Sequence, residues 1–160
     1  MAQILNNKYQ TLYAYFFLIG YGSQFSDWKE TIAKNNLSST VHLLGYRSNI
    51  RELLQAGDIG FHASLGEAFS LSIVEYMSAK LRVFVPNIPT VCQAVTHNED
   101  GCIYPWDDPE TAAEMLAQVI TDPNVLQQMG KAARNKASKK YSLEECSRQF
   151  LDVTRPLIFE

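Results

Sequence analysis

Asp58-Ile59-Gly60-Phe61-His62-Ala63-Ser64-Leu65-Gly66-Glu67-Ala68-Phe69-Ser70-Leu71-Ser72-Ile73-Val74-Glu75-Tyr76-Met77 opens as a β-like apolar run and ends as a helix, with a tight loop between. Gly66 suits the turn. Ala68, Ser70 and Ser72 are small enough for backbone to reach a ligand. Phe69 or Ser70 begins the helix, and Ile73, Val74 and Met77 give it a face for a sheet. A helix start presents unpaired N–H groups and a partial positive charge, so it can receive a phosphate. Glu67 lies before that start and Glu75 after it. At ~1.5 Å rise per residue they lie at most about 12 Å apart along the axis, the span of a nucleotide diphosphate-sugar. Carboxylates accept hydrogen bonds from sugar and ribose hydroxyls. Acids this far apart do not share a proton, and a helix-borne Glu75 fits poorly as one of a glycosidase pair. One exposed surface acid and one first-turn helix acid is the plain structural alternative.

Outward from this segment, short apolar runs alternate with helical patterns. The strand candidates are Tyr15–Ile19, Val41–Leu44, Ile59–Ala63, Val83–Val85 and Cys102–Tyr104. They are near-continuously apolar, as strands covered on both faces are. Helices are expected over Phe25–Asn35, Ile50–Gln55, Ser70–Ala79 and Val91–Thr96. The alternation predicts an α/β fold with a doubly wound parallel sheet. The last third differs. Asp108-Pro109-Glu110 and Asp122-Pro123-Asn124 each place an N-cap acid before a proline at the first helical position. Ser142-Leu143-Glu144-Glu145 is a capping box. Three C-terminal helices should follow, to about Ile120, Lys140 and Thr154, with their apolar faces on the sheet.

At 160 residues, 46% hydrophobic and 19% charged, the chain fits one packed domain. Its net charge of -3 argues against non-specific nucleic-acid binding. The basic cluster Lys131, Arg134, Lys136, Lys139 and Lys140 reads as a solvated helix face. Cys92, Cys102 and Cys146 have neither metal-ligand spacing nor the even count of a disulfide framework. His42, His62 and His97 are read as structural, with His62 nearest the two acids. Tyr13–Ile19 is too short to span a bilayer, and its aromatic, β-branched content suits a buried strand better than a signal-peptide core.

Two further loops could contact a ligand. Gly20-Tyr21-Gly22 follows the first strand candidate; it lacks the third glycine of a dinucleotide fingerprint and reads as a tight turn or a close ligand contact. Tyr46-Arg47 follows the second, where an aromatic and a guanidinium could stack on a base or meet a phosphate. A solvated loop is the other reading.

Glu67 through Glu75 resembles the E-x7-E motif of retaining nucleotide-sugar glycosyltransferases built from two Rossmann-like domains, the GT-B architecture of glycosyl transferases group 1, family four. Other segments are similar too. Phe17-Leu18-Ile19-Gly20-Tyr21-Gly22 looks like the family's strand ending in G-x-G, and Val41–Tyr46 like its F-L-G-Y/F segment. Leu53–Asp58 looks like the L-L-x-x-A-D run, Asn98–Pro105 like the N-G-x-L-x-x-P turn, and Met129–Arg134 with Tyr141-Ser142 like the helical end. The resemblance covers about Tyr15 to Phe150.

The resemblance implies a donor-binding domain over 1–160 that transfers a hexose from a nucleotide-diphosphate sugar with retention, in polysaccharide or glycoconjugate synthesis. It implies Glu67 as the catalytic acid contacting the transferred sugar and Glu75 on the ribose. The backbone at Gly66, Ala68, Phe69, Ser70 and Leu71 would meet sugar and distal phosphate, and Gly20, Gly22, Tyr46 and Arg47 would line the donor site. No metal or cofactor beyond the sugar nucleotide is implied. The family's first strand with its G-R-x-x-x-x-K-G loop, expected to be central in the sheet, has no match before Tyr15, and Met1–Gln10 reads as the end of the helix after it. The N-terminal acceptor domain has no counterpart either, so catalysis is expected to need that domain or another chain. Ala68 stands for the usual glycine, Lys80 and Arg82 for glycine and proline, and Gln93 for a common acid. A cytoplasmic location follows, with the inner face of the membrane reached through the complete enzyme. Two alternatives stay open: a non-catalytic Rossmann-like binding or assembly module, and a sugar epimerase or phosphorylase on the same scaffold.

Overall fold

The computed structural model describes residues 1–9 and 11–158. Helix α1 (Ala2–Lys8) precedes an alternation of β1 (Phe16–Ile19), α2 (Phe25–Lys34), β2 (Val41–Gly45), α3 (Ile50–Gln55), β3 (Ile59–Phe61), α4 (Leu71–Ser78), β4 (Arg82–Pro86), α5 (Pro89–Cys92) and β5 (Gly101–Tyr104). Helices α6 (Pro109–Thr121), α7 (Pro123–Lys140) and α8 (Leu143–Ile158) follow. All five expected strands form, within a few residues of the expected bounds. The end of the expected N-terminal helix, Gln10, lies outside the described residues.

The strands run parallel, but in two ladders. β1 pairs with β2 from Phe16↔Val41, with an irregularity between Leu18 and Ile19. β4 is flanked by β3 and β5, with Phe61↔Phe84 and Phe84↔Cys102 in register. No backbone hydrogen bond joins β1 to β3 among the described residues. Instead Phe16 meets Phe61 edge to face, ring centroids 6.4 Å apart. The expected single sheet is thus interrupted in the middle, and apolar side chains join its halves.

β4 explains why the core has two faces. Side chains alternate along a strand, so Phe84 points one way and Val83 and Val85 the other, all buried. Phe84 packs with Leu5, Cys102, Tyr104, Ala112, Ala113 and Leu116, beneath α1 and α6. Val83 and Val85 pack with Ile73, Met77, Val91, Ala133 and Ala137, beneath α4, α5 and α7. Each fully buried side chain of this size contributes roughly 1.5–3 kcal/mol. β1 departs from the expectation of cover on both faces. Phe16 and Leu18 turn inward, while Tyr15 and Phe17 remain 60% and 59% exposed and flank the His42 ring at 6.2 and 5.3 Å.

Helix starts in the last third form as the D-P pairs require. Asp108 accepts from Thr111 N at 3.0 Å; Asp122 accepts from Asn124 N and Val125 N at 3.0 and 3.1 Å. Ser142 accepts from Glu145 N at 3.2 Å. α8 runs past the expected end at Thr154, through Pro156. α5 is shorter and earlier than expected, because Pro89 sets its first turn and Thr96 N is taken by the buried Asp100 carboxylate at 2.7 Å. The three cysteines are free thiols.

Two glycines seat α4. A Cβ on Gly60 would lie 2.4 Å from Tyr76 Cγ, so the Tyr76 ring rests directly on β3. A Cβ on Gly130 would lie 2.3 Å from the Lys80 carbonyl oxygen, so α7 presses against the turn that ends α4.

Candidate functional site

The loop from β3 to α4 is anchored from below. His62 N donates to Phe84 O at 2.9 Å, and the Tyr104 hydroxyl donates to His62 O at 2.8 Å. Burial pushes the Tyr104 phenol up to about 12, so it remains a donor. With Asn87 N donating to Tyr104 O at 2.7 Å, the carboxyl ends of β3, β4 and β5 are tied together.

On that base the two acids take different environments. Glu67 is part-buried and its Oε1 lies 3.0 Å from His62 Nε2. Desolvation pushes the Glu67 carboxyl up, but the Ser70 hydroxyl, the His62 ring and the Ser64 hydroxyl outweigh it and leave the group below its ordinary range. Glu67 is therefore an ionised acceptor at neutral pH. Glu75 is exposed on α4. Burial first, then the charges of Glu75 and Glu67, push the Tyr76 hydroxyl up. Both acids thus lie near enough to the same phenol for their charges to act on it.

Ser70 is the N-cap of α4 in extended conformation (φ -93°, ψ 108°), yet its side chain makes no capping bond. Its buried hydroxyl lies 3.5 Å from His62 Nε2 instead. No acid occupies the first turn of α4. The first N–H groups of this helix are left for another acceptor, in the place expected for a phosphate.

The remaining expected residues divide. The Ala68 carbonyl accepts from Gln93 Nε2 at 2.8 Å, and the same amide donates to Thr90 O at 2.8 Å. An acid at residue 93 could make neither bond. Phe69 is tilted on Tyr141 at 5.6 Å, and Leu71 is exposed. Gly66 has no positive φ and open space where a Cβ would be, so the turn it suits does not depend on glycine there.

Gly20 and Gly45 form a second group. Gly20 N donates to Gly45 O at 2.9 Å, with φ of +133° and +67° that only glycine adopts freely. Gly22 needs no such conformation. Tyr46 is 78% exposed, and the Arg47 guanidinium donates to the Tyr46 carbonyl at 3.3 Å. A cavity of about 250 Å³ opens beside Gly20, Gly22, Phe25 and Trp28; neither glutamate lines it. No hydrogen bond joins this group to the Glu67–Glu75 group among the described residues.

Sequence reasoning missed the contacts of His62 and Gln93. His62, Glu67 and Ser70 follow no helix or strand period, because a strand, a loop and a helix start each supply one. The position of His62 beside the two acids and the departure at Gln93 were the available signals.

Parallel strands between helical layers, with the polar loops at the strands' carboxyl ends, define a Rossmann-like α/β domain of the kind that binds nucleotides at that edge. The chain belongs to the glycosyl transferases group 1 family, whose model matches residues 2–136. It is 32% identical over 129 residues to the Escherichia coli UDP-Gal:alpha-D-GlcNAc-diphosphoundecaprenol alpha-1,3-galactosyltransferase, across 80% of this chain and 33% of the relative. It is 23% identical to the Bacillus anthracis N-acetyl-alpha-D-glucosaminyl L-malate synthase, across 83% of this chain and 35% of that protein. The chain thus spans about a third of these curated relatives. In fold it matches a glycosyltransferase from Rickettsia africae ESF-5 (TM-score 0.87, 23% identity, 99% of this chain and 44% of that one). It matches Anabaena Alr3699/HepE in complex with UDP similarly (TM-score 0.85, 20% identity, 96% and 44%). The fold is that of a GT-B glycosyltransferase domain. No helix among the described residues is long and apolar enough to cross a membrane.

Proposed function

We propose that this chain is the donor-binding part of a retaining hexosyltransferase that uses a nucleotide-diphosphate sugar to build polysaccharide or glycoconjugate. One observation carries the reading: an uncapped helix start stands between an ionised, held Glu67 and an exposed Glu75. The N–H groups of Phe69, Ser70 and Leu71 receive the distal phosphate, and as the glycosidic bond breaks they stabilise the charge growing on the departing diphosphate. Glu75 accepts from ribose hydroxyls. Glu67 accepts from hydroxyls of the sugar and fixes its orientation. Tyr46 and Arg47 border the base, and the Gly20-Gly45 contact holds that side of the site.

The acceptor and the groups nearest the reacting carbon come from an acceptor domain of the complete enzyme or from another chain. That E. coli relative is named for a diphosphoundecaprenol-linked acceptor; an acceptor of that class would bring the complete enzyme to the inner face of the membrane.

Calorimetric titration of the chain with UDP, GDP and their hexose conjugates tests the reading. Glu75→Ala should abolish nucleotide binding with the unfolding temperature unchanged. Undiminished nucleotide affinity in that variant refutes the donor site.

A further inference from the structure

The chain holds a buried histidine on the floor of the site, and the contacts of its ring are specific. His62 side-chain exposure is 10% and that of Glu67 is 30%. Nε2 lies 3.0 Å from Glu67 Oε1 and 3.5 Å from Ser70 Oγ. Both partners thus meet one nitrogen. A nucleophilic relay of serine, histidine and acid needs the acid on one ring nitrogen and the hydroxyl on the other, so the cluster is not a hydrolase triad. A ring bonded to a carboxylate through Nε2 must carry its proton there, since a bare nitrogen lone pair would face an oxygen lone pair.

We propose that His62 is a positioning residue for Glu67: its Nε2–H holds Oε1 so that Oε2 is turned toward the sugar of the donor. The inference rests on the donor-site reading above. Three features favour it over simple packing. His62 backbone is fixed on both sides, by Phe84 O and by the Tyr104 hydroxyl, so the ring is a rigid post. Glu67, in contrast, sits in a loop beside Gly66, where a Cβ would meet nothing within 4 Å, and its carboxylate is held by this ring together with the Ser64 and Ser70 hydroxyls. The contact takes one carboxylate oxygen of a side chain that keeps nearly a third of its surface free for a ligand. A carboxylate placed before the substrate arrives contributes through preorganisation, which appears in binding of the sugar and not of the nucleotide.

The test uses the whole chain, with His62→Leu, which keeps apolar volume without a donor, and His62→Gln, whose amide nitrogen reaches the place of Nε2. The probes are UDP, UDP-glucose, UDP-galactose, UDP-N-acetylglucosamine, GDP and GDP-mannose. The quantity read is the gain in affinity of the sugar nucleotide over its bare nucleotide. His62→Leu should cut that gain about tenfold, the scale of one hydrogen bond to a charged group, with nucleotide affinity intact, and His62→Gln should restore it. Equal loss for nucleotide and sugar nucleotide in His62→Leu would make the residue structural and overturn the proposal, as would an unchanged gain. A wild-type chain that binds no nucleotide would refute the donor site, and the sugar role of His62 with it. One measurement stands apart from ligand: long-range proton–nitrogen NMR of the unliganded chain should find the His62 proton on Nε2 and the ring signal moved by Glu67→Gln. A proton on Nδ1 alone overturns the proposal whatever the ligand data.

Discussion

The start of α4 and the starts of α6 and α7 are built from the same class of N-cap residue and end up chemically opposite. Asp108 and Asp122 turn their carboxylates onto the first backbone N–H groups of α6 and α7, and Pro109 and Pro123 remove one further donor. Those starts are closed. Ser70 holds the same position on α4 with its hydroxyl directed to His62, and Leu71 follows in place of proline. That start is open. A short polar residue before a helix therefore does not determine whether the helix end is satisfied; what lies beside its side chain does.

The comparison breaks most visibly if α4 is rebuilt like its neighbours. Leu71→Pro removes the N–H at the first helical position, where proline is well tolerated. Ser70 is already extended, as a residue before proline must be, and Leu71 is exposed. The expected outcome is an unchanged unfolding temperature with UDP affinity reduced about tenfold, for one lost bond to a charged group. An equal affinity measured by calorimetry would remove Leu71 from the phosphate site.

The converse variant acts on stability alone. Asp122→Ala frees Asn124 N and Val125 N and should cost about 1 kcal/mol in urea unfolding, with ligand affinity unaltered. A smaller effect sharpens the comparison through pH. Hydrogen bonds from the Thr111 hydroxyl and backbone hold Asp108 below its ordinary range, against slight desolvation. A lowered folded value means stability that is complete above the unfolded value, about 3.9, and that fades as pH falls through the folded one. The difference in unfolding temperature between wild type and Asp108→Ala should be constant near neutrality and close below about pH 4. A gap that persists in acid would mean that Asp108 caps without its charge.

Closed starts were legible in the sequence because D-P states both the cap and the first helical residue locally. Strands were legible for a similar reason: Val83–Val85 and Cys102–Tyr104 are apolar at every position, which fits a strand covered twice. Glu67 and Glu75 were legible through their spacing about a helix start. The rest depends on distant partners. Nothing near Ser70 in the chain says that its hydroxyl meets His62. Tyr15 and Phe17 look like core, yet β1 is covered on one face only. Gly66 suits the turn, but its backbone would accept other residues. Gly60 and Gly130 matter for what presses on them, Tyr76 and Lys80, which lie 16 and 50 residues away by number.

The interruption between β1 and β3 has a consequence for motion. Among the described residues the Phe16 and Phe61 rings, not amide–carbonyl pairs, connect the two ladders, so an opening of β1 and β2 would break no rung of β3–β4–β5. The loops at Gly20 and Tyr46 belong to the first unit; His62, Glu67 and Glu75 belong to the second. A nucleotide spanning both would tie together two units that share no ladder hydrogen bond among the described residues, one beneath its base and the other beneath its sugar.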